Sequence, residues 1–152
     1  MIRKSDKNPW VEILKEKNIR VTNIRIKILK LLEDSVDHLN AKKIYNHIRE
    51  EHPDVGIASV YRNLDQLIQH GLIDKIEISQ KISIFELCEA FHPMGHHHHL
   101  ICQKCQKIIS YNQFMQEELA YMQMAEKRLK KKYQFRIDFH VLRFFGTCSD
   151  CE

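Results

Sequence analysis

Two C-x-x-C pairs, Cys102-Gln103-Lys104-Cys105 and Cys148-Ser149-Asp150-Cys151, are the strongest chemical signal in this chain. A C-x-x-C turn places two thiolates on one metal ion with little strain. Two such pairs complete a tetrahedral all-sulfur shell, which favours zinc. About forty residues separate the pairs, more than in a compact zinc finger, so the ion must tie separate segments of the chain together. The competing readings are two disulfides or a redox C-x-x-C. The first conflicts with a reducing compartment, and the second normally needs one pair at a helix start beside a sheet. A closed shell of four thiolates stabilises folding and does no chemistry.

Four histidines, His96 to His99, directly precede the first pair. In an extended run alternate residues face opposite sides, so His97 and His99 form one set of ligands and His96 and His98 another. Two imidazoles on one strand face, joined by a carboxylate or a further histidine, suit Fe, Zn, Mn or Ni. His38, Glu86, Glu117 and His140 are the candidate completing groups. The competing readings are an affinity tag, which is normally terminal, and a polar surface loop. Cys88, the odd cysteine, shares a strand face with Glu86 and is either a small half-buried hydrophobe or a soft ligand. His47, His52 and His70 read as surface residues.

Those groups must be positioned by regular elements, and the pattern supplies them. A short amphipathic helix is expected over Trp10 to Lys17. A second follows Thr22 as N-cap and carries Ile24, Ile28, Leu31 and Leu32. A third follows Asn40, with Ile44, Tyr45 and Ile48 inward, and is broken at His52-Pro53-Asp54. A fourth begins near Ala58 and ends at His70-Gly71, where glycine suits the C′ position. After Gly71 the period changes. Leu72 to Ile78 and Ile82 to Leu87 read as strands joined through Ser79-Gln80-Lys81. Helices followed by a β-hairpin are the order of a winged helix-turn-helix. Beyond Pro93 and Gly95 come a strand at Leu100-Ile101 and another from Lys107 to Tyr111. A helix from about Gln113 to Lys132 and a last strand from Phe135 to Phe145 follow. That helix offers Phe114, Leu119, Met122 and Leu129 to a core, and its basic end from Lys127 complements the helix dipole. The fold class is therefore α+β. An N-terminal winged helix spans residues 1–88, a hinge 89–95, and a C-terminal α/β dimerisation and metal-binding domain 96–152.

At 152 residues and 43% hydrophobic content, the chain is long enough for one core or two small ones. It has no apolar run long enough to span a membrane and no apolar secretory stretch behind MIRKSDKNPW, so a cytoplasmic protein is expected. The net charge of +4 says little, but residues 1–32 hold nine Lys or Arg against three acids. A basic N-terminal face is compatible with a phosphate backbone, and equally with a solvated helix surface.

Together these motifs make the chain resemble the ferric uptake regulator superfamily from about Asn18 to Cys151. The stretches that carry the resemblance are Arg20-Val-Thr-Asn-Ile-Arg25, Asp37-His-Leu-Asn-Ala41, Gly56-Ile-Ala-Ser-Val-Tyr-Arg62 and Phe85-Glu-Leu87. They continue through His96-His-His-His-Leu-Ile-Cys-Gln-Lys-Cys105 and His140 to Cys151. The resemblance implies a metal-dependent transcriptional repressor that binds, as a homodimer, a pseudo-palindromic, A·T-rich operator in double-stranded DNA. It places the fourth helix in the major groove, with Tyr61 against thymine methyls and Arg62 on a base edge or phosphate. Arg20 would enter a narrow minor groove, and Arg25 and Ser59 would hold phosphates. Carried over position by position, His38, Glu86, His97 and His99 form the sensing site, and His96, His98, Glu117 and His140 an additional one. The four paired cysteines hold structural Zn(2+), and the regulatory ion is Fe(2+), with Zn(2+) or Mn(2+) as alternatives.

The sequence also departs from the family pattern. About four extra residues lie around Phe91 to Gly95, where His92 could compete as a ligand. His98 stands where many relatives have Asp. Ser110 replaces a carboxylate on which peroxide-sensing relatives depend, which counts against peroxide sensing. Cys88 beside Glu86 favours zinc sensing. An enzyme is not expected: a zinc hydrolase or deaminase needs an open metal position and a general base, and neither H-E-x-x-H nor H-x-E is present. A metal storage module would leave the winged-helix pattern unexplained.

Overall fold

The computed structural model describes residues 8–35, 38–79, 82–138 and 140–152. Two compact units divide between Pro93 and Met94.

The first unit opens with helix α1 (Pro9–Glu16), started by the Asn8 side chain, which accepts from the Trp10 N–H. Helix α2 (Asn23–Asp34) begins at Thr22, whose Oγ1 accepts from the Arg25 N–H at 3.3 Å. Strand β1 (Leu39–Asn40) leads into helix α3 (Ala41–Glu51), where the Asn40 side chain accepts from the Lys43 N–H at 2.9 Å. Each cap satisfies one backbone donor that the helix cannot.

Helix α4 (Ile57–Gln69) buries Val60, Leu64 and Leu67, the i, i+4, i+7 stripe of a helix lying on a core. Each such fully buried side chain contributes roughly 1.5–3 kcal/mol. The helix ends at Gly71, whose φ of +63° suits glycine, and the Leu72 N–H bonds back to the Leu67 carbonyl at 2.9 Å.

Strands β2 (Ile73–Ser79) and β3 (Ile82–Leu87) pair antiparallel in the register Ile73↔Leu87. Of the expected hairpin loop, Gln80 and Lys81 lie outside the described residues, as does Asp37 of the Asp37–Ala41 stretch. Strand β1 pairs with β3 through Leu39↔Phe85, giving the order β1-β3-β2. Two residues are too short to show a strand period, so the sequence reading had only a cap there. Three helices against this small sheet make the winged helix. Its core gathers Trp10, Leu14, Ile28, Ile44, Leu64 and Leu87. Phe91 packs on the same core, its ring centroid 5.7 Å from that of Trp10, so the stretch read as a hinge from Glu89 is anchored as far as Phe91.

The second unit contains strand β4 (His98–Cys102), strand β5 (Ile108–Tyr111), helix α5 (Met115–Tyr133), strand β6 (Arg143–Gly146) and a closing 3-10 turn (Ser149–Cys151). The order is β5-β4-β6. Strands β4 and β6 are parallel, a pairing that requires a long crossover, which α5 supplies. Two expectations change here. The last strand does not start at Phe135. Among the described residues it runs over Arg143–Gly146, beside His99 to Cys102 of β4, and Phe139 of the expected strand lies outside the described residues. Nor are the apolar positions offered to a core fully buried within one chain: Phe114, just before α5, is 74% and Leu129 45% exposed, while Leu119 and Met122 are half-buried. Leu100, Ile109, Phe144 and Phe145 are exposed as well, so a single copy of this unit leaves much apolar surface in water.

Candidate metal centres and nucleic-acid surface

The parallel pairing of β4 with β6 brings the two cysteine pairs together. Cys102 pairs with Gly146, and the Gln103 N–H bonds the Gly146 carbonyl at 2.8 Å, so the segment carrying Cys148 and Cys151 leaves the sheet beside the turn carrying Cys102 and Cys105. That turn is closed by the Gln106 N–H on the Cys102 carbonyl and by Gln106 in the left-handed region at φ +64°. One sulfur from each of the four cysteines lies within 4.8 Å of the others, and the Cys105 and Cys148 sulfurs are 3.6 Å apart. A zinc–sulfur distance of about 2.3 Å in a tetrahedron separates the sulfurs by about 3.8 Å, so the four residues fit zinc. Main-chain N–H groups of Cys105 and then Cys148 hold the Cys102 thiol down at about 6, favouring the thiolate. Cys151 is pushed up to about 12, first by its contacts with Cys105 and Cys148, as four thiols crowded together resist ionising jointly. Lys107 on Asp150 at 2.9 Å and Lys104 on the Cys151 carbonyl at 2.7 Å clamp the chain end across this cluster.

The alternation of β4 divides the histidines as its period requires. His96, His98 and His140 offer one nitrogen each within 4.8 Å of one another. His98 is 2% exposed, its Nε2 stands 3.2 Å from His96 Nε2, and its Nδ1 donates to Glu118 Oε2 at 2.8 Å. Burial pushes the His98 imidazole down against the opposing pull of Glu118, keeping it neutral and able to ligate. The His140 Nδ1 donates to Glu126 Oε1 at 3.1 Å, and its buried Nε2 has no hydrogen-bond partner among the described residues. Glu117, the carboxylate expected here, is exposed on α5 and outside this group, and its neighbour Glu118 faces His98 instead. The signal that finds Glu118 and Glu126 is spatial: neither has a motif spacing to a histidine.

The other two histidines of the run, His97 and His99, pack ring on ring with centroids 4.8 Å apart. His99 is buried and stands opposite Ser110 in the β4–β5 register. In the first unit, His38 Nε2 and Glu86 Oε2 lie 3.8 Å apart, with both side chains mostly buried. Cys88 donates its Sγ to the Gly71 carbonyl at 2.9 Å, and burial, followed by the charge of Asp74, pushes its thiol up.

On α4, outside the buried stripe, Tyr61, 48% exposed, and Arg62 face solvent. Arg25 reaches this helix from α2. Its Nε donates to Asn63 Oδ1 at 3.1 Å, one guanidinium nitrogen donates to the Arg20 carbonyl at 2.6 Å, and Asn63 donates to the Ser59 carbonyl at 2.8 Å. Arg20 is exposed and Ser59 half-buried, so these bonds link Arg20, Arg25, Asn63 and Ser59 in one network. Asn63 was not among the expected residues. Its place four positions after Ser59 puts both on one helix face, which is the only sequence trace of the link.

A winged helix with an open recognition face, carried in one chain with a unit that gathers thiols and imidazoles at metal-ligand distances, defines a metal-responsive, DNA-binding regulator of transcription. The chain belongs to the Ferric uptake regulator family, whose profile matches residues 16–145. It is 33% identical over 140 residues to the ferric uptake regulation protein of Legionella pneumophila, covering 91% of this chain and 96% of that one. Its fold is similar to that of the Helicobacter pylori ferric uptake regulator Fur, a protein with three functional metal binding sites. The TM-score is 0.72 at 27% identity, over 94% of this chain and 89% of that one. It is similar also to the ferric uptake regulator of Pseudomonas aeruginosa with manganese, with a TM-score of 0.70 at 25% identity, over 91% and 97% of the two chains. Members of the family are DNA-binding repressors that act as dimers. Among the described residues no helix is long and apolar enough to cross a membrane.

Proposed function

We propose that this protein is an iron(II)-responsive repressor of iron-uptake genes, with His38, Glu86, His97 and His99 as the ligands of the regulatory ion. The observation that carries this reading is that each unit already pairs its share of the set: His38 with Glu86 at 3.8 Å, and His97 with His99 at a ring separation of 4.8 Å. An ion that draws ligands from both units favours whichever arrangement of them it binds best, and it shifts the population toward DNA-competent dimers only by that difference in affinity. The four paired cysteines hold structural zinc, and His96, His98 and His140 form an additional site.

Zinc response is the nearest alternative, and the state of Cys88 weighs against it. A thiol that donates to a backbone carbonyl and is pushed up by burial is poorly prepared to be a thiolate ligand. Ser110 opposite His99 supplies no carboxylate, which weighs against peroxide sensing. Tyr61 and Arg62 read base edges of a pseudo-palindromic, A·T-rich operator, Arg20 enters its minor groove, and Arg25 and Ser59 hold phosphates.

The test is anaerobic titration of the zinc-loaded protein on a labelled A·T-rich palindromic duplex, with Fe(II), Zn(II), Mn(II) and Ni(II) buffered at set free concentrations. Iron is expected to restore tight binding at the lowest free level that the cell maintains for it. Binding that is equally tight without any added ion, or that responds to zinc alone, would overturn the reading.

A further inference from the structure

We propose that His92, in the inserted segment around Phe91 to Gly95, is a further ligand of the regulatory ion, contributed by the first unit beside Glu86 and His38, and that its imidazole takes the place of the carboxylate that Ser110 does not supply. The inference rests on the sensing-site reading above and adds to it a ligand from outside the family pattern.

A tight turn returns His92 to Glu86. Strand β3 ends at Leu87, and the Cys88 N–H bonds the Leu72 carbonyl at 3.1 Å, one step beyond the strand pairing. The Cys88 carbonyl then accepts from both the Phe91 and the His92 N–H, at 2.8 and 2.9 Å. This is a single helical turn that is not continued. Its Phe91 side chain is packed on the core of the first unit, with its ring centroid 5.7 Å from that of Trp10. Pro93 follows, and a proline restricts the residue before it to extended backbone. His92 is thereby fixed on both sides, by its own N–H and by the proline ring behind it.

The half-buried His92 offers a ring nitrogen within 4.8 Å of a carboxylate oxygen of Glu86, and Glu86 Oε2 is 3.8 Å from His38 Nε2. Ligand atoms about 2.1 Å from one ion lie about 3 to 4.2 Å apart, so small side-chain rotations close both pairs on a metal. The competing use of this imidazole is a plain ion pair with Glu86. With His92 included, the donor set becomes one carboxylate and four imidazoles, from His38, His92, His97 and His99. Imidazole suits iron, zinc and nickel, whereas manganese(II) prefers oxygen, so exchanging a carboxylate for His92 tilts the site away from manganese.

The experiment uses the full-length protein with its thiolate site filled with zinc. Further zinc, as a diamagnetic probe, is titrated while the histidine rings are followed by long-range nitrogen–proton NMR. Anaerobic competition with a chelator gives the Fe(II) and Mn(II) affinities. The His92 ring nitrogen is expected to shift together with those of His38, His97 and His99. His92→Ala should weaken Fe(II) by about 10- to 100-fold, at least the loss that follows removal of a ligand's outer partner. His92→Glu should narrow the preference for iron over manganese. Trp10 is the single tryptophan and stacks on Phe91, so unchanged emission reports that the turn is still seated in each variant. If the other three rings shift while His92 stays unmoved, or if His92→Ala binds Fe(II) within twofold of the parent, the inference falls and the sensing site stands. If zinc leaves all four rings unmoved, the sensing site and the inference fall together.

Discussion

The main-chain N–H of Cys148 donates to the sulfur of Cys102 at 3.4 Å, so the second cysteine pair begins by stabilising the thiolate of the first. That bond exists because β6 runs parallel to β4 and delivers the chain end to the start of the C-x-x-C turn. The four-sulfur cluster is thus a closure of the second unit, whose buried apolar side chains are few, among them Ile101 and Cys102. Cys105→Ser is expected to lose the zinc and unfold or monomerise the protein, as read by circular dichroism and sedimentation. His97→Ala should remain a folded dimer with one zinc and a lost metal response. Equal structural damage from the two substitutions would refute the separation of structural from sensing sites.

The α4 face predicts two graded losses in operator binding. Arg62→Ala should weaken binding by about 1–3 kcal/mol, the discrimination carried by one good bidentate base contact, with the apo fold intact. Asn63→Ala removes the acceptor for Arg25 Nε, and should lower affinity by letting Arg25 swing free. Fluorescence anisotropy at several salt concentrations checks both. An Asn63→Ala protein that binds like its parent at every salt concentration would show that Arg25 needs no such brace.

Helix α2 carries Arg25 in its first turn, and the Thr22 cap fixes that turn. Thr22→Ala should destabilise the first unit by about 1 kcal/mol, measured as a shift in urea midpoint with no change of slope. Thr22→Ser, which keeps the hydroxyl, should recover most of it.

Lys27 and Glu51 join α2 to the end of α3 at the surface. The Lys27 hydrogen bond, and after it the Lys27 charge, hold the Glu51 carboxyl below its usual range. A depressed folded pKa stabilises the folded state above the unfolded carboxylate value, about 4.3. That contribution is lost as the pH falls through the lower folded value. Carboxyl-carbon NMR should place the Glu51 midpoint below the ordinary glutamate range, and Lys27→Met should return it there. The stability effect is small, because both groups meet solvent. An unchanged midpoint in Lys27→Met would assign the shift elsewhere.

Much of this protein is legible in its sequence. The caps at Thr22 and Asn40, the glycine stop at Gly71 and the buried stripe of α4 follow from interactions a few residues long, which any copy of those segments would seek. The two-residue period separates His96 and His98 from His97 and His99 for the same reason. Paired thiols at C-x-x-C spacing announce a metal before any fold is known.

What only the tertiary structure decided is which distant groups meet. The parallel register Cys102↔Gly146 closes the thiol cluster, and the seating of α5 brings Glu118 rather than Glu117 to His98. One residue along a helix turns a side chain by about 100°, so adjacent glutamates with the same chemistry face different surroundings, and no local pattern tells them apart. The same holds for the apolar side chains of α5, whose pattern promises burial while the isolated unit leaves Tyr121, Met124 and Leu129 exposed. Periodicity records that a surface is to be covered; what covers it depends on contacts between segments, and between chains, that a sequence does not spell out.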